Sequence, residues 1–181
     1  MTDAVDRLLP GLRAGERVTL LAATDAGPAE VLGFVTAVDA ETLAVLDRRG
    51  TSHRVPRAAV RAAKRLGVAR GRDPLATPRR LLDDLAARAG ASGTPYVARI
   101  SDLLAGLEPP AAVPPWGPVA EFAGVVARCE GEWVTLTDAG PDAARQAAWW
   151  ATRMGARSVQ VRTDDPAVAA ELTAAGFRPL S

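Results

Sequence analysis

Residues 140–180, GPDAARQAAWWATRMGARSVQVRTDDPAVAAELTAAGFRPL, decide the fold class of this chain, because they predict helix, strand, helix and strand in succession. Alanines recur every three or four residues over 141–154, which is the period of one helix face. Residues 158–162 (SVQVR) have the β-branched composition of a strand. Alternation of these elements favours an α/β arrangement for this part of the chain.

The second helix of this stretch has clear boundary signals. Asp164 or Asp165 can accept hydrogen bonds from the first turn, and Pro166 suits the first helical position. Gly176 is typical of a helix end. The chain is then expected to enter a last strand over 177–180.

The residues before this stretch predict a β-hairpin. Segments 124–129 (GVVARC) and 132–137 (EWVTLT) flank the turn dipeptide Glu130-Gly131. Together with the following elements they predict a ββαβαβ half-domain over 119–181.

The N-terminal part, residues 1–66, predicts a small five-stranded β-barrel with an SH3-like strand pattern, which makes the whole chain α+β. Gly33 is expected to bend or bulge its strand, and residues 57–59 are expected to form one 3₁₀ turn. The expected strands are 17–23, 31–38, 42–47, 51–55 and 60–64.

Residues 67–118 predict a bridge between the two domains. Thr77 can cap a helix over 78–89, residues 90–95 are expected to be a loop, and 100–107 predict a short helix. The bridge ends in EPPAAVPPWGP, whose prolines exclude a regular element.

Composition limits the class of protein. Hydrophobic residues make up 48% and charged residues 24% of the chain, as in globular domains, and no apolar run reaches the ~20 residues of a membrane helix. Cys129 is the only cysteine, which excludes an internal disulfide. The acidic N-terminus has no long apolar core and does not look like a secretory signal, so the expected location is cytoplasmic.

The order helix, strand, helix, Gly-Phe, strand resembles the acyl-CoA-binding half of the GNAT acetyltransferases. In that family an RxxGxG/A loop holds the coenzyme A pyrophosphate through backbone N–H groups at a helix start. The corresponding residues 137–142 (TDAGPD) have one glycine and no arginine. The resemblance implies acetyl-CoA as cofactor and a cradle formed by Gly140, Asp142, Ala143 and Ala144.

A second family motif ends in Gly-Phe, matched by Gly176-Phe177, and carries a tyrosine that protonates the departing thiolate. Leu172 stands at that position and cannot donate a proton. We therefore assign no catalytic residue. The chain resembles either a truncated, degenerate relative or the non-catalytic half of a duplicated arrangement; an active form would transfer an acetyl group to an amine.

The N-terminal part is similar to the SH3-like domain attached to some actinobacterial GNAT proteins. The resemblance covers residues 15–66 and depends on the strand 31–38 (VLGFVTAV) and the Val55-Pro56-Arg57 step.

A run of basic residues follows the third strand. Residues 48–72 contain nine basic side chains and no acidic one. They suggest a solvated barrel face, a surface for the acidic half of the chain, or a binding site for an acidic protein, CoA phosphates or nucleic acid. Phe34 is the only aromatic residue of this domain, which weakens the nucleic-acid alternative. The candidate partner-binding residues are Arg48, Arg49, Arg54, Arg57, Arg61 and Lys64.

A non-catalytic interaction module is the alternative function, with a homodimer through an open sheet edge of the C-terminal half. The remaining polar candidates favour structural roles. His53 has no nearby cysteine or carboxylate at metal spacing, so no metal is expected. Cys129 is expected to be a buried or edge thiol, and one of Trp149 and Trp150 is expected to lie in the core.

Overall fold

The computed structural model describes residues 4–180. Within them the chain forms two compact units. Unit 1 comprises residues 4–67 with 109–112, and unit 2 comprises residues 68–108 with 113–180.

Unit 1 is one antiparallel sheet with a short helix. The strands follow the order β4-β3-β2-β1-β5. The elements are α1 (Ala4–Leu8), β1 (Arg17–Thr24), β2 (Gly27–Val38), β3 (Thr42–Leu46), β4 (Ser52–Pro56), a 3₁₀ turn (Arg57–Ala59) and β5 (Val60–Leu66).

Strand alternation builds the core of unit 1. Val18 and Leu20 of β1 point to one face, where Val5 of α1 and the following Leu9 cover them. Position 33 of β2 requires glycine, because a side chain there would clash with the Leu46 carbonyl oxygen. β2 does have an irregularity in its pairing, but it lies between Val35 and Ala37 and not at Gly33.

The five predicted strands and the 3₁₀ turn of unit 1 are confirmed, with boundaries that differ by a few residues. The largest difference is β2, which begins at Gly27 instead of residue 31, since the tight turn is only Thr24–Gly27. The helix α1 was not predicted. Pairing between β4 and β5, which would close a barrel, does not occur among residues 4–180; the unit is an open five-stranded sheet.

Unit 2 is a six-stranded sheet with the order β11-β6-β10-β9-β8-β7, in which only β9 and β10 are parallel. The elements are a 3₁₀ turn (Pro74–Ala76), α2 (Arg79–Ala89), β6 (Thr94–Arg99), α3 (Ile100–Leu103), β7 (Val119–Phe122), β8 (Val125–Glu130), β9 (Trp133–Thr137), α4 (Pro141–Thr152), β10 (Ser158–Thr163), α5 (Pro166–Ala174) and β11 (Arg178–Pro179).

The predicted order from β8 to β11 is confirmed, but the sheet has two further strands. The expected loop and helix at 90–107 miss β6, which pairs with β10 along its whole length and is a central strand. Pro95 obscured it, because proline argues against a central strand by sequence. Here its carbonyl accepts a hydrogen bond from Leu180 N–H. The short edge strand β7 was also missed.

Helices cover both faces of this sheet. On one face Leu82 and Leu85 of α2 pack against Val97 and Trp133. On the other face α4 and α5 pack on β9 and β10, with Trp150 fully buried. Trp150 is thus the predicted core tryptophan.

Helix starts differ in how well the sequence marks them. Asp165 caps α5 by accepting from Ala167 N–H at 2.8 Å, so the second of the two expected caps is confirmed. Thr77 does not cap α2, because that helix starts one residue later, at Arg79, with Pro78 in the cap position.

Candidate functional site

The turn between β9 and α4 is the place where the sequence predicts a cofactor cradle. Asp138 has a left-handed backbone (φ +47°), which aspartate tolerates better than most residues. Its N–H donates to the Arg162 carbonyl at 2.9 Å, and its side chain accepts from the Thr163 hydroxyl at 2.7 Å. Thr163 Oγ1 in turn accepts from Asp165 N–H. The turn is therefore fixed to the carboxyl end of the neighbouring strand β10.

Few backbone donors remain for a ligand at this turn. The structure brings the predicted residues Gly140, Asp142, Ala143 and Ala144 together at the start of α4, with Gly140 at the cap position. Ala144 N–H already donates to the Gly140 carbonyl at 3.1 Å. Pro141 has no N–H. Asp142 and Ala143 are the members of the predicted set whose N–H groups lie in the helix's open first turn.

Negative charge surrounds these donors. A side chain at Gly140 would meet Glu171 Oε2 of α5 at 3.6 Å, so a third carboxylate lies near the turn besides Asp138 and Asp142. The Asp142 side chain is 92% exposed and pairs with Arg145 at 3.1 Å. Two like charges 4 Å apart repel by about 1 kcal/mol in water and by about 4 kcal/mol at a protein surface. A diphosphate is electrostatically disfavoured here.

A cavity of about 260 Å³ lies within unit 2 at the carboxyl end of β6. Its charged lining residues are Asp73, Arg99, Asp102 and Arg178, and its apolar walls include Leu75 and Val97. No motif in the sequence predicts a site at these residues.

Arg99 is held in this cavity by one hydrogen bond. Its Nε donates to the Arg72 carbonyl at 3.2 Å. Nη2 is 3.9 Å from Asp73 Oδ1 and Nη1 is 3.7 Å from Asp102 Oδ2, which are ion-pair distances too long for hydrogen bonds. The Arg99 side chain is 22% exposed. Both terminal nitrogens therefore lack a hydrogen-bond partner within residues 4–180.

A second polar cluster lies under α2 and is fully used by the fold. Gln160 Nε2 donates to Thr135 Oγ1 and to the Leu82 carbonyl, while its Oε1 accepts from Arg162 Nε. Arg162 Nη2 donates to Asp83 Oδ1 at 2.8 Å. This bond, followed by that of Arg79, lowers the pKa of Asp83. The buried side chains of Gln160 and Arg162 are thus bonded within the fold, and the cluster positions β10.

The candidate basic residues of unit 1 fall into three classes. Arg57 is buried and used internally, pairing with Asp6 and donating to the Asp39 carbonyl. Arg54 is exposed and lies 3.9 Å from Asp39. The exposed members without an ion pair among the described residues are Arg48, Arg49, Arg61 and Lys64.

Two of the candidate partner-binding residues, Arg54 and Lys64, share the outer face of the unit 1 sheet. Lys64 pairs with Thr19, which pairs with Leu32, so the three point to the same side. Arg54, opposite Ala44, points to that side from β4. Because β4 and β5 are the two ends of the strand order, Arg54 and Lys64 lie at opposite edges. These two candidate partner-binding residues therefore do not form one continuous patch along the strand order.

His53 lies in a hairpin and has an acidic neighbour. Its Nε2 is 3.0 Å from Asp47 Oδ2. This bond and those from Thr51 and Arg49 N–H lower the pKa of Asp47 to about 2. Asp47 thereby closes the β3–β4 turn. This structural role explains why Asp47 and His53 are paired.

Cys129 is buried on β8, as expected for a buried or edge thiol. Burial raises its pKa to about 11. A protonated thiol is a poor nucleophile at neutral pH.

Residues 4–180 contain no group of three or more histidine, cysteine, aspartate or glutamate side chains arranged to hold a metal ion. Within the same range no helix is long and apolar enough to span a membrane. Comparison of the chain with protein-family models, curated proteins and solved structures gave no significant match.

Proposed function

We propose that the chain is a non-catalytic interaction module whose unit 1 binds an acidic protein partner. The observation that carries the proposal is the division of the basic run: Arg57 and Arg65 are used in internal ion pairs, whereas Arg48, Arg49, Arg61 and Lys64 are exposed and unpaired within residues 4–180. Exposed cations with no internal role are available to carboxylates of another molecule.

A protein partner fits the outer sheet face better than a nucleic acid does. Leu21 and Leu32 are each 40% exposed, and strand pairing puts both on the side of Lys64. Protein interfaces combine apolar contact with a charged rim. Single-stranded nucleic acids need aromatic side chains for stacking, and Phe34, the aromatic residue of this sheet, is buried.

Fluorescence anisotropy with labelled polyglutamate tests this function. We expect binding that weakens as salt rises, and a clear loss of affinity in Arg61→Gln/Lys64→Gln. The matched control is Arg72→Gln/Arg80→Gln, which removes two exposed charges outside unit 1. Equal losses in both variants, or tighter binding of single-stranded DNA than of polyglutamate, would contradict the proposal.

A homodimer through unit 2 belongs to the same proposal. The edge strand β7 and its neighbour β8 carry Val119 and Val126, which are 49% and 54% exposed and lie on the same face. An unpaired edge with apolar neighbours is a site for pairing with a second copy. Light scattering after size exclusion is expected to give twice the chain mass, and Val126→Lys is expected to give a monomer; a monomeric wild type would refute the dimer.

Weak acyl-CoA binding is the second candidate, in a degenerate GNAT relative with an SH3-like N-terminal domain. It is favoured by the parallel pair β9 and β10 joined through α4, which places the turn at the carboxyl ends of two parallel strands. Ligands of open α/β sheets bind at such ends. The five-strand order of unit 1 with its 3₁₀ turn between β4 and β5 supports the SH3-like assignment.

The carboxylates at the turn set the test for acetyl-CoA. We expect weak binding by isothermal titration and tighter binding after Glu171→Gln or Asp142→Asn, because each removes a charge that repels the diphosphate. Glu121→Gln, an exposed carboxylate on β7, is the control. Absence of heat with wild type and both variants would end this candidate, and an acetyl group transferred to an amine would extend it to catalysis.

A further inference from the structure

The cavity beside β6 has a sheet edge without a strand partner. β11 pairs with Tyr96 and Val97 only, whereas β10 pairs with β6 from Thr94 to Arg99. On the β11 side the edge of β6 is therefore open at Ala98 and Arg99, two residues that line the cavity. A small ligand seated there meets backbone as well as side-chain groups.

Two guanidinium groups provide the anion-binding part of the cavity. The terminal nitrogens of Arg99 have no hydrogen bond within the described part of the chain, and the Arg178 side chain has neither a hydrogen bond nor an ion pair there. Arginine binds a carboxylate through two parallel hydrogen bonds. Arg99 is only 22% exposed, so its donors are partly desolvated and gain from a ligand that replaces water.

Two carboxylates provide a complementary part. Asp73 and Asp102 line the same cavity and flank Arg99 at ion-pair distance. Asp73 Oδ1 accepts from Leu75 N–H, and Asp102 Oδ1 accepts from the Ser101 hydroxyl, which leaves Oδ2 of each without a hydrogen bond among residues 4–180. The four charged side chains sum to zero, so a simple anion or cation is attracted by one pair and repelled by the other. A zwitterion is attracted by both pairs.

The size and walls of the cavity restrict the ligand further. Its volume of about 260 Å³ is below the range of ~300–1,000 Å³ typical of drug-sized ligands. Pro74, Leu75 and Val97 offer apolar surface beside the charged groups. These walls suit a short aliphatic side chain.

We propose that this cavity binds a free α-amino acid with a short aliphatic side chain, holding its carboxylate on Arg99 and Arg178 and its ammonium group on Asp73 and Asp102. This assignment goes beyond the proposed interaction function, because it uses unit 2 residues that lie neither on the unit 1 sheet nor at the α4 turn.

Matched ligands test the zwitterion directly. Isothermal titration and saturation-transfer NMR with L-valine are expected to detect binding into the millimolar range. Isovalerate, which lacks the ammonium group, and isobutylamine, which lacks the carboxylate, are each expected to bind at least about tenfold more weakly. No binding of valine, alanine or leucine would overturn the proposal, and so would isovalerate binding as tightly as valine.

Variants of the full chain test the residues. Arg178→Gln and Asp102→Asn change exposed side chains and are each expected to weaken valine binding by about tenfold. Arg80→Gln, an exposed arginine of α2 outside the cavity, is the matched control and is expected to bind as wild type does. Equal affinity of wild type and Arg178→Gln, or equal weakening in Arg80→Gln, would overturn the assignment. Polyglutamate binding by unit 1 is measured in parallel, so the two proposals fail separately.

Discussion

The two ends of the unit 2 sheet differ in their charged side chains: one carries carboxylates and the other carries side chains of both signs. At the carboxyl end of β10 the α4 turn combines a helix start with three carboxylates. At the amino end of β10, where Ser158 pairs with Arg99, two arginines lack hydrogen-bond partners for their terminal nitrogens within residues 4–180. The strand between them spans roughly 17 Å at ~3.3 Å per residue.

This contrast shows that a loop's position in a fold does not determine its ligand. The α4 turn lies at a helix start, a position that suits a phosphate. However, Asp138 accepts from Thr163 and Asp142 accepts from Arg145, and both carboxylates place negative charge at the turn. In the cavity, by contrast, side chains of both signs have open polar atoms among residues 4–180. Side-chain charge, more than backbone shape, separates the two ends.

The largest expected effect comes from the core that supports both ends. Trp150→Ala removes a fully buried ring. The centroid of this ring is 5.8 Å from that of Phe122, and its indole N–H donates to the Pro115 carbonyl. We expect a loss of about 3–5 kcal/mol in the free energy of unfolding, measured by urea titration. Trp149→Ala, a half-buried neighbour, is the control and is expected to lose about 1–2 kcal/mol. Equal losses would show that Trp150 is not the core residue.

How much of this fold the sequence could predict depended on local signals. The strands of unit 1 follow tight turns and alternate in polarity, so their pattern was sufficient. β6 was missed because Pro95 lies in it, and because its central place depends on pairing with β10, which lies far along the chain. β7 is a short edge strand directly after a proline-rich stretch and has little pattern of its own.

The candidate sites were predictable to different degrees. Gly140-Pro141 after a strand marks the α4 turn in the sequence alone. The Glu171 carboxylate reaches that turn from α5, a tertiary approach that no local pattern contains. Likewise Arg99 and Arg178 line one cavity because β11 pairs with β6, where Arg178 is opposite Val97. Polar residues alternating at 158, 160 and 162 are the signal in the sequence for the cluster under α2.

Titration of the Cys129 thiol tests whether water reaches the buried side of strand β8. Its pKa is raised from 9.0 to about 11 by burial, so the protonated thiol favours the folded state. This contribution is fully present below pH 9 and is lost as pH rises through about 11; it amounts to about 2–3 kcal/mol. Urea titrations of wild type and Cys129→Ala across that range should show wild type losing stability faster. Parallel curves would indicate that water reaches the thiol.

Thr163 is the link that fixes the α4 turn to β10. Thr163→Val keeps the shape but leaves Asp138 Oδ1 without its donor and Asp165 N–H without its acceptor. We expect a loss of about 1–2 kcal/mol and, with Asp138 released, still weaker acetyl-CoA binding. Thr173→Val, whose hydroxyl only bonds its own helix at Ala169, is expected to change stability by less than about 0.5 kcal/mol. A neutral Thr163→Val would mean that the turn holds its conformation without this bond.

The smallest expected effect compares the α4 turn with the other aspartate-closed turn, at β3–β4. The hydrogen bond with His53, followed by those from the Thr51 and Arg49 N–H groups, lowers the pKa of Asp47 to about 2. A lowered pKa stabilises the fold above the unfolded value of about 3.8, and this stabilisation is lost as pH falls through about 2. Asp47→Asn should therefore be less stable than wild type at pH 7, with the difference shrinking below pH 3.8 as wild type loses this contribution. Asp25→Asn in the exposed β1–β2 turn should show no such pH dependence. If the stabilities of wild type and Asp47→Asn instead differ by the same amount at pH 7 and at pH 2, the Asp47 side chain closes this turn by its shape and not by its charge. Side-chain charge would then not be what distinguishes the turns of unit 1.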